Sequence, residues 1–208
     1  MAMKQTQADE NRVFLHGRVE QPPQRSHSNH GVEFFTFPLV VSRLSGTADR
    51  LNVVASRELL ERDIWPERGE EISVSGEVRT FNNRTGTGSR LVISVFAREI
   101  QASQGEDENR LTLSGALCKP PSLRSTPLGR TICDMILAVN RRYGRADYLP
   151  CIAWGSLAHR CGHMEVGQRL ELEGRLQSRT YTKVLGDHTE ERTAFEVSVM
   201  TLLGEPAE

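Results

Sequence analysis

The sequence predicts an all-β protein made of two tandem five-stranded barrels, each with one short helix between strands 3 and 4. Three observations predict it. The chain says the same thing twice at a constant offset. Each copy is written in runs whose apolar residues alternate with period two, the mark of half-buried strands. Between the third and fourth runs of each copy lies one stretch without that alternation.

The repeat comes first because it sets the frame. "NRVFLHGRVEQPP" begins at Asn11 and "NRLTLSGALCKPP" at Asn109, an offset of 98 residues. In the same register Gly17 meets Gly115, Pro22 meets Pro120 and Gly31 meets Gly129. "PLVVSR" meets "ILAVNR", "ADRLNVVA" meets "ADYLPCIA", and "EISVSGEV" meets "RLELEGRL". Two domains are expected, at 10–102 and 109–204. The polar, acidic stretch 103–108 reads as a linker. This is a duplicated domain, because solenoid repeats are much shorter.

In the second copy, Arg110–Leu117 alternates and Pro120-Pro121 ends it. Thr131–Asn140 and Asp147–Trp154 are the next strands, and Gly155–Cys161 is the helix. Gln168–Leu176 alternates cleanly, with Gly174 marking a bulge or a close approach of backbone. Phe195–Leu203 closes the set. The first copy repeats the order, with "RELLERDIW" (Arg57–Trp65) as its helix. Five strands with a helix between the third and fourth is the order of an OB-fold barrel. The second hairpin, "QSRTYTKVLGDHTEER", is expected to be six residues longer than "RTFNNRTGTGSR", since Leu91 then pairs with Phe195.

Composition bounds the function. The 208 residues are 38% hydrophobic and 25% charged with a net charge of −1, so no global basic field points to nucleic acid and none forbids a local one. No apolar run reaches the roughly 18 residues of a membrane helix. The polar Met1–Glu10 has no apolar signal core, so a cytoplasmic chain is expected. Cys118, Cys133, Cys151 and Cys161 lack metal or disulfide spacing and are expected reduced, Cys133 and Cys151 as small core residues. "HRCGH" and "HSNH" do not supply four tetrahedral ligands, so no metal or other cofactor is expected. Paired carboxylates, a nucleophile elbow and a phosphate loop are all missing, so an enzyme is not expected.

"AVNRRYGRADYLPCIAW" (Ala138–Trp154) is where chemistry concentrates. Aromatics are 6% of the chain, yet three rings stand here among Arg141, Arg142 and Arg145. A core strand wants rings on one face but not guanidinium groups beside them. Every base has a π-face, so rings hold any sequence, while arginine neutralises phosphate. The plain alternative is that Tyr143 and Tyr148 merely cover the core, and that Trp154 belongs to it.

"NRLTLSG", "PPSLRSTPLGRTICDMILAVNRRY", "ADYLPCIAWGSLA" and "GQRLELEGRLQSRTY" resemble, in order, the bacterial single-stranded DNA-binding protein family. The first copy is similar to it chiefly through "NRVFLHGRV", "LNVVASRELL" and "GEEISVSGEVR". The resemblance implies OB-folds that hold single-stranded DNA without catalysis, with four OB-folds per assembly. A chain with two copies would supply these as a homodimer. The family's aromatic positions fall on Tyr143, Tyr148, Trp154 and Tyr181. Its basic positions fall on Arg124, Arg141, Arg142, Arg179 and Lys183. The family's usual acidic tail ends in an apolar tip that recruits partners, whereas this chain ends on "LLGEPAE". A specialised role in replication restart, recombination or a mobile element is therefore expected, in the nucleoid-associated cytoplasm. Two other readings stay open: a primosomal-type accessory protein acting through replication or recombination partners, and an OB-fold oligomerisation scaffold that binds no DNA.

At the fixed offset Tyr143, Tyr148, Trp154 and Tyr181 face Ser45, Arg50, Ser56 and Asn83. The first copy thus keeps the barrel pattern without those rings, which argues that they do not build the fold. Residues 109–204 hold 13 Lys/Arg against 9 Asp/Glu, and residues 10–103 hold 12 of each, so the second copy is expected to bind more strongly. Contacts from the first copy are expected at Arg43, Arg50, Arg79, Phe81 and Arg84. Its Gly/Asn-rich hairpin is either a mobile basic finger or a plain solvated loop. The longer second hairpin either clamps strand or builds an oligomer contact.

Overall fold

The computed structural model describes residues 9–83, 91–185 and 188–204. The chain is all-β, and the described residues form six strands and one short helix in each copy. In the first copy these are β1 (Asn11–Val19), β2 (Gln24–Asn29), β3 (Val32–Ser42), β4 (Ala48–Ser56), α1 (Arg57–Arg62), β5 (Glu71–Asn82) and β6 (Leu91–Ala102). In the second they are β7 (Glu108–Leu117), β8 (Ser122–Ser125), β9 (Thr131–Asn140), β10 (Ala146–Trp154), α2 (Gly155–Gly162), β11 (Arg169–Leu185) and β12 (His188–Leu203). A three-residue turn of 3₁₀ helix, Arg142–Gly144, joins β9 to β10.

The first barrel runs β3-β4-β6-β5-β1 and closes where β1 returns to β3, with Arg18 opposite Val40. The second runs β9-β10-β12-β11-β7 and closes at β7 and β9, with Ala116 opposite Ala138. In each, the third and fifth strands of the OB order pair in parallel: Val53 with Val95, and Cys151 with Val197. This is the expected OB-fold. The edge strands β2 and β8 are additions to the five expected strands. They are short polar hairpin partners of β3 and β9, exposed along their whole length, so they carry no apolar alternation to read.

Inside, the alternation does what period two requires. Phe35, Phe37, Leu39 and Val41 of β3 are buried, as are Cys133, Met135, Leu137 and Val139 of β9. Gly76 and Gly174 have one reason for being glycine: a Cβ at either would collide with the carbonyl oxygen of Phe96 or Ser198. Those two carbonyls are 102 residues apart, as are Val95 and Val197 in the parallel registers. The second hairpin is therefore four residues longer than the first, not six. Matching Leu91 to Phe195 slid the fifth strand by two residues, a shift that period-two alternation cannot detect.

Both helices close a barrel end. Leu59 and Leu60 are buried on α1, and Ala158 and Cys161 on α2. Helix α1 starts on Ser56, whose hydroxyl accepts the Leu59 N–H at 3.2 Å. It ends at Arg62 rather than Trp65, because Pro66 disfavours helical geometry at the residue before it. Asp63, just past the end, accepts the Ile100 N–H at 2.9 Å.

The chain forms two compact units that do not follow the repeat boundaries. One comprises residues 1–11, 111–175 and 196–208, the other 12–110 and 176–195. The far part of the β11–β12 hairpin thus groups with the first barrel. In the first unit Asp9 accepts the Asn140 N–H at 2.8 Å and pairs with Arg169. In the second, Asp107 accepts the Ser42 N–H at 2.6 Å. Asp9 and Asp107, like Ser42 and Asn140, are 98 residues apart. Each barrel is finished by the segment that precedes the other copy in the chain.

Candidate nucleic-acid interface

In the unit built on the second barrel, β10 presents Tyr148 and Trp154 outward. Between them Leu149, Cys151 and Ala153 point inward and are buried. Tyr148 is 51% exposed and lies opposite Ala138, while Trp154 is 39% exposed and lies opposite Ile132. Six residues separate the rings on one strand, so they stand about 20 Å apart along the outer face. Tyr143 sits in the 3₁₀ turn, and its side chain lies outside the described residues.

The expected cations divide. Arg142 is exposed in the same turn. Arg124 on β8 is half exposed and pairs with Asp134, whose hydrogen bond pushes its guanidinium pKa up. Arg141 is differently occupied: its Nε donates to Asp147 at 2.6 Å, and a second nitrogen pairs with the same fully buried carboxylate. Arg43 makes the same pair with buried Asp49, with Nε at 2.7 Å. Each arginine also holds its loop through the backbone, Arg43 to Thr47 and Arg141 to Arg145. A buried carboxylate needs such a partner. Arg43 and Arg141 each staple their own loop to a buried carboxylate. A pattern of arginines beside rings cannot distinguish such a staple from a phosphate contact.

The unit built on the first barrel gains what its own copy lacks. The arm at 176–195 carries Arg179 and Tyr181, the latter 37% exposed with the guanidinium 6.0 Å from its ring centre. The arm is fastened to β4 at Ser178, whose hydroxyl accepts the Arg50 N–H at 2.9 Å. The Ser178 N–H donates in turn to Asp49 at 2.7 Å. Between arm and strand lies an open groove of about 490 Å³, lined by Arg50, Asn52, Arg179, Thr193 and Phe195 among others. Arg50 faces outward with its side chain half exposed and pairs with Glu20. The structure thus brings Arg50 and Arg179 to one groove, with Tyr181 beside Arg179. The side chain of Lys183 lies outside the described residues.

Phe81 is 43% exposed near the end of β5. Arg79 on the same strand is mostly covered and pairs with Glu77. Arg84 lies outside the described residues.

Sequence reasoning passed over one group. Phe34 on β3 stacks on His27 of β2, with ring centres 5.0 Å apart and planes 15° apart. It also meets Phe96 of β6 at 5.7 Å, and the Arg98 guanidinium lies 5.0 Å from the Phe96 ring centre. The signal was in "VEFFTF": with Phe35 and Phe37 inward, Phe34 has to face outward. Among the described residues, no group of three or more His, Cys, Asp or Glu is arranged to hold a metal ion. No helix there is long and apolar enough to cross a membrane.

Residues 108–203 match the model of the Single-strand binding protein family. A single-stranded DNA-binding protein of Clostridium tetani is 36% identical over 80 residues, covering 35% of this chain and 55% of its own length. Another, from Halalkalibacterium halodurans, is 33% identical over 99 residues, covering 44% of this chain and 56% of its own. The chain thus spans about half the length of the curated relatives it matches. The fold of the whole chain is similar to that of the wild-type single-stranded DNA binding protein from Thermus aquaticus, with a TM-score of 0.77 at 24% identity, covering 97% of each chain. Over its second copy the chain is similar to the single-strand binding protein family, as the resemblance read in the sequence implied.

Proposed function

We propose that the protein binds single-stranded DNA without reading its sequence, in DNA replication, recombination or repair, and that it performs no catalysis. One observation carries the reading: Tyr148 and Trp154 stand exposed on the outer face of a barrel whose core is already filled by their strand neighbours. An exposed ring on a curved sheet is a stacking platform, worth roughly 1–3 kcal/mol per base. Around it Arg124 and Arg142 complete a surface for splayed bases and phosphates, to which Tyr143 is also assigned. On the first barrel, Arg50, Arg179 and Tyr181 are assigned to a second binding surface, with Lys183, Phe81, Arg79 and Arg84 as flanking contacts. Arg43 and Arg141 shape the loops that carry these groups.

We place the duplicated domains at 10–102 and 109–204, with 103–108 joining them. A homodimer would bring four OB-folds together, in the nucleoid-associated cytoplasm. Replication or recombination proteins are its expected partners.

The deciding experiment is fluorescence anisotropy with labelled dT oligomers and with duplex of equal length at matched salt. Single strand should bind far more tightly, and its affinity should fall as salt rises. Equal affinity for duplex rejects the reading. Light scattering at micromolar concentration checks the dimer, and a monomer mass rejects it.

A further inference from the structure

We infer that the first barrel carries its own base-stacking platform for single-stranded DNA, built from Phe34, Phe96 and His27 with Arg98 over Phe96. This rests on the single-strand reading above and adds a site to it at positions where the sequence resemblance places none.

The argument is one of displaced rings. In the second copy Trp154 on β10 lies directly opposite Ile132 on β9. In the first copy the equivalent pair is Ser56 on β4 opposite Phe34 on β3. Directly opposed residues share a face, with their Cβ atoms about 5 Å apart. The aromatic surface has therefore crossed one strand rather than vanished. The helices supply the reason. Ser56 is needed as the N-cap of α1, where its hydroxyl accepts the Leu59 N–H. Helix α2 follows Trp154, which makes no such side-chain bond, and starts on Gly155 in the left-handed region at φ +59°. A ring at position 56 would cost the first helix its cap, so the ring stands on the neighbouring strand.

The same exchange continues across the sheet. Phe96 lies beside Val54 in the parallel register, and the second copy has Ser198 beside Ile152. Two residues on, Arg98 stands where the second copy has the exposed Met200. Phe34 and Phe96 are half-buried, so each ring is fixed while keeping an open side. His27 is exposed at one end, and Arg98, its side chain 58% exposed, bonds Glu77 at the other. Rings contacting one another across four strands, closed by an exposed guanidinium over a π-face, suit bases and phosphate together.

The test uses the full chain and a dT oligomer carrying 5-bromodeoxyuridine. Irradiation of the wild-type complex should crosslink peptides containing His27, Phe34 or Phe96, besides the peptide with Tyr148. Phe34→Ile installs the side chain that the second copy carries at the equivalent Ile132, which keeps apolar bulk on the strand. It should weaken binding by about five-fold to a hundred-fold, while Phe34→Trp keeps binding. If Phe34→Ile binds within two-fold of wild type and crosslinks avoid the first copy while Tyr148→Ala weakens binding, this inference falls and the single-strand reading stands. If the wild type binds no single strand, both fall.

Discussion

Tyr148→Arg separates stacking from charge with one substitution that the fold already tolerates. The equivalent residue of the first copy is Arg50, on the same outward position of the same strand. Tyr148 is half exposed and faces Ala138, so an arginine stem can cover what the ring covered, and the melting temperature should move by only a few degrees. The ring takes with it about 1–3 kcal/mol of stacking, which is roughly five-fold to a hundred-fold in affinity. The added guanidinium contributes one phosphate contact, which steepens the salt dependence of log K by about 0.7 for a single strand. Between about 50 and 300 mM salt that is roughly a further three-fold to four-fold loss relative to wild type. Anisotropy of labelled dT oligomers at both salts, with melting curves alongside, reads all three quantities. An affinity equal to wild type at high salt would show that Tyr148 does not stack. A large loss with an unchanged salt slope would show that the outward position does not reach phosphate.

Asp147→Asn should cost about 3–5 kcal/mol of stability, since it removes the negative charge paired with Arg141 at a fully buried site; a melting curve like wild type's would mean that the charge of Asp147 does not hold the loop. Burial pushes the Cys151 thiol up to about 12 and the Cys161 thiol up to about 11, and raises Cys133 as well. At pH 8 a thiol reagent should therefore modify Cys118 first, and the other three only on unfolding; four fast equivalents would contradict the packing. The Arg62 hydrogen bond holds the Asp63 carboxyl below its usual range, helped by the Ile100 N–H and opposed by burial. A depressed carboxylate stabilises above the unfolded pKa of about 4 and loses that contribution as pH falls through the folded value. Wild type should therefore melt above Asp63→Asn at pH 7, with the gap closing in acid; a gap constant with pH would reject the linkage.

What could be read in the sequence was whatever repeats or alternates. The offset of 98 placed the first four expected strands of both barrels, because Gly17 and Gly115, or "ADRLNVVA" and "ADYLPCIA", answer to the same local geometry. Tyr148 and Trp154 were legible as outward rings, since the inward positions between them are apolar. The ion pairs of Arg43 and Arg141 were not, because the buried carboxylate six residues on has no signature beyond being an Asp. Phe34 was hidden for a different reason. Comparing copies position by position sees a lost ring at Ser56, and only cross-strand register shows the ring beside it. The grouping of the arm at 176–195 with the first barrel depends on contacts such as Ser178 with Asp49, which no pattern within either copy encodes.

That arm, together with Asp107, means that the two copies cannot be separated cleanly at the seam. A gene cut at the seam would yield a first half without the groove wall that Ser178 fastens to β4. If the cut also removed Asp107, the Ser42 N–H would lose its acceptor. The second half would start after Asp9 and leave Asn140 in the same condition. Neither half is an ancestral single domain waiting to be released. Each barrel depends on a piece encoded beside the other, so a cut at the seam costs both.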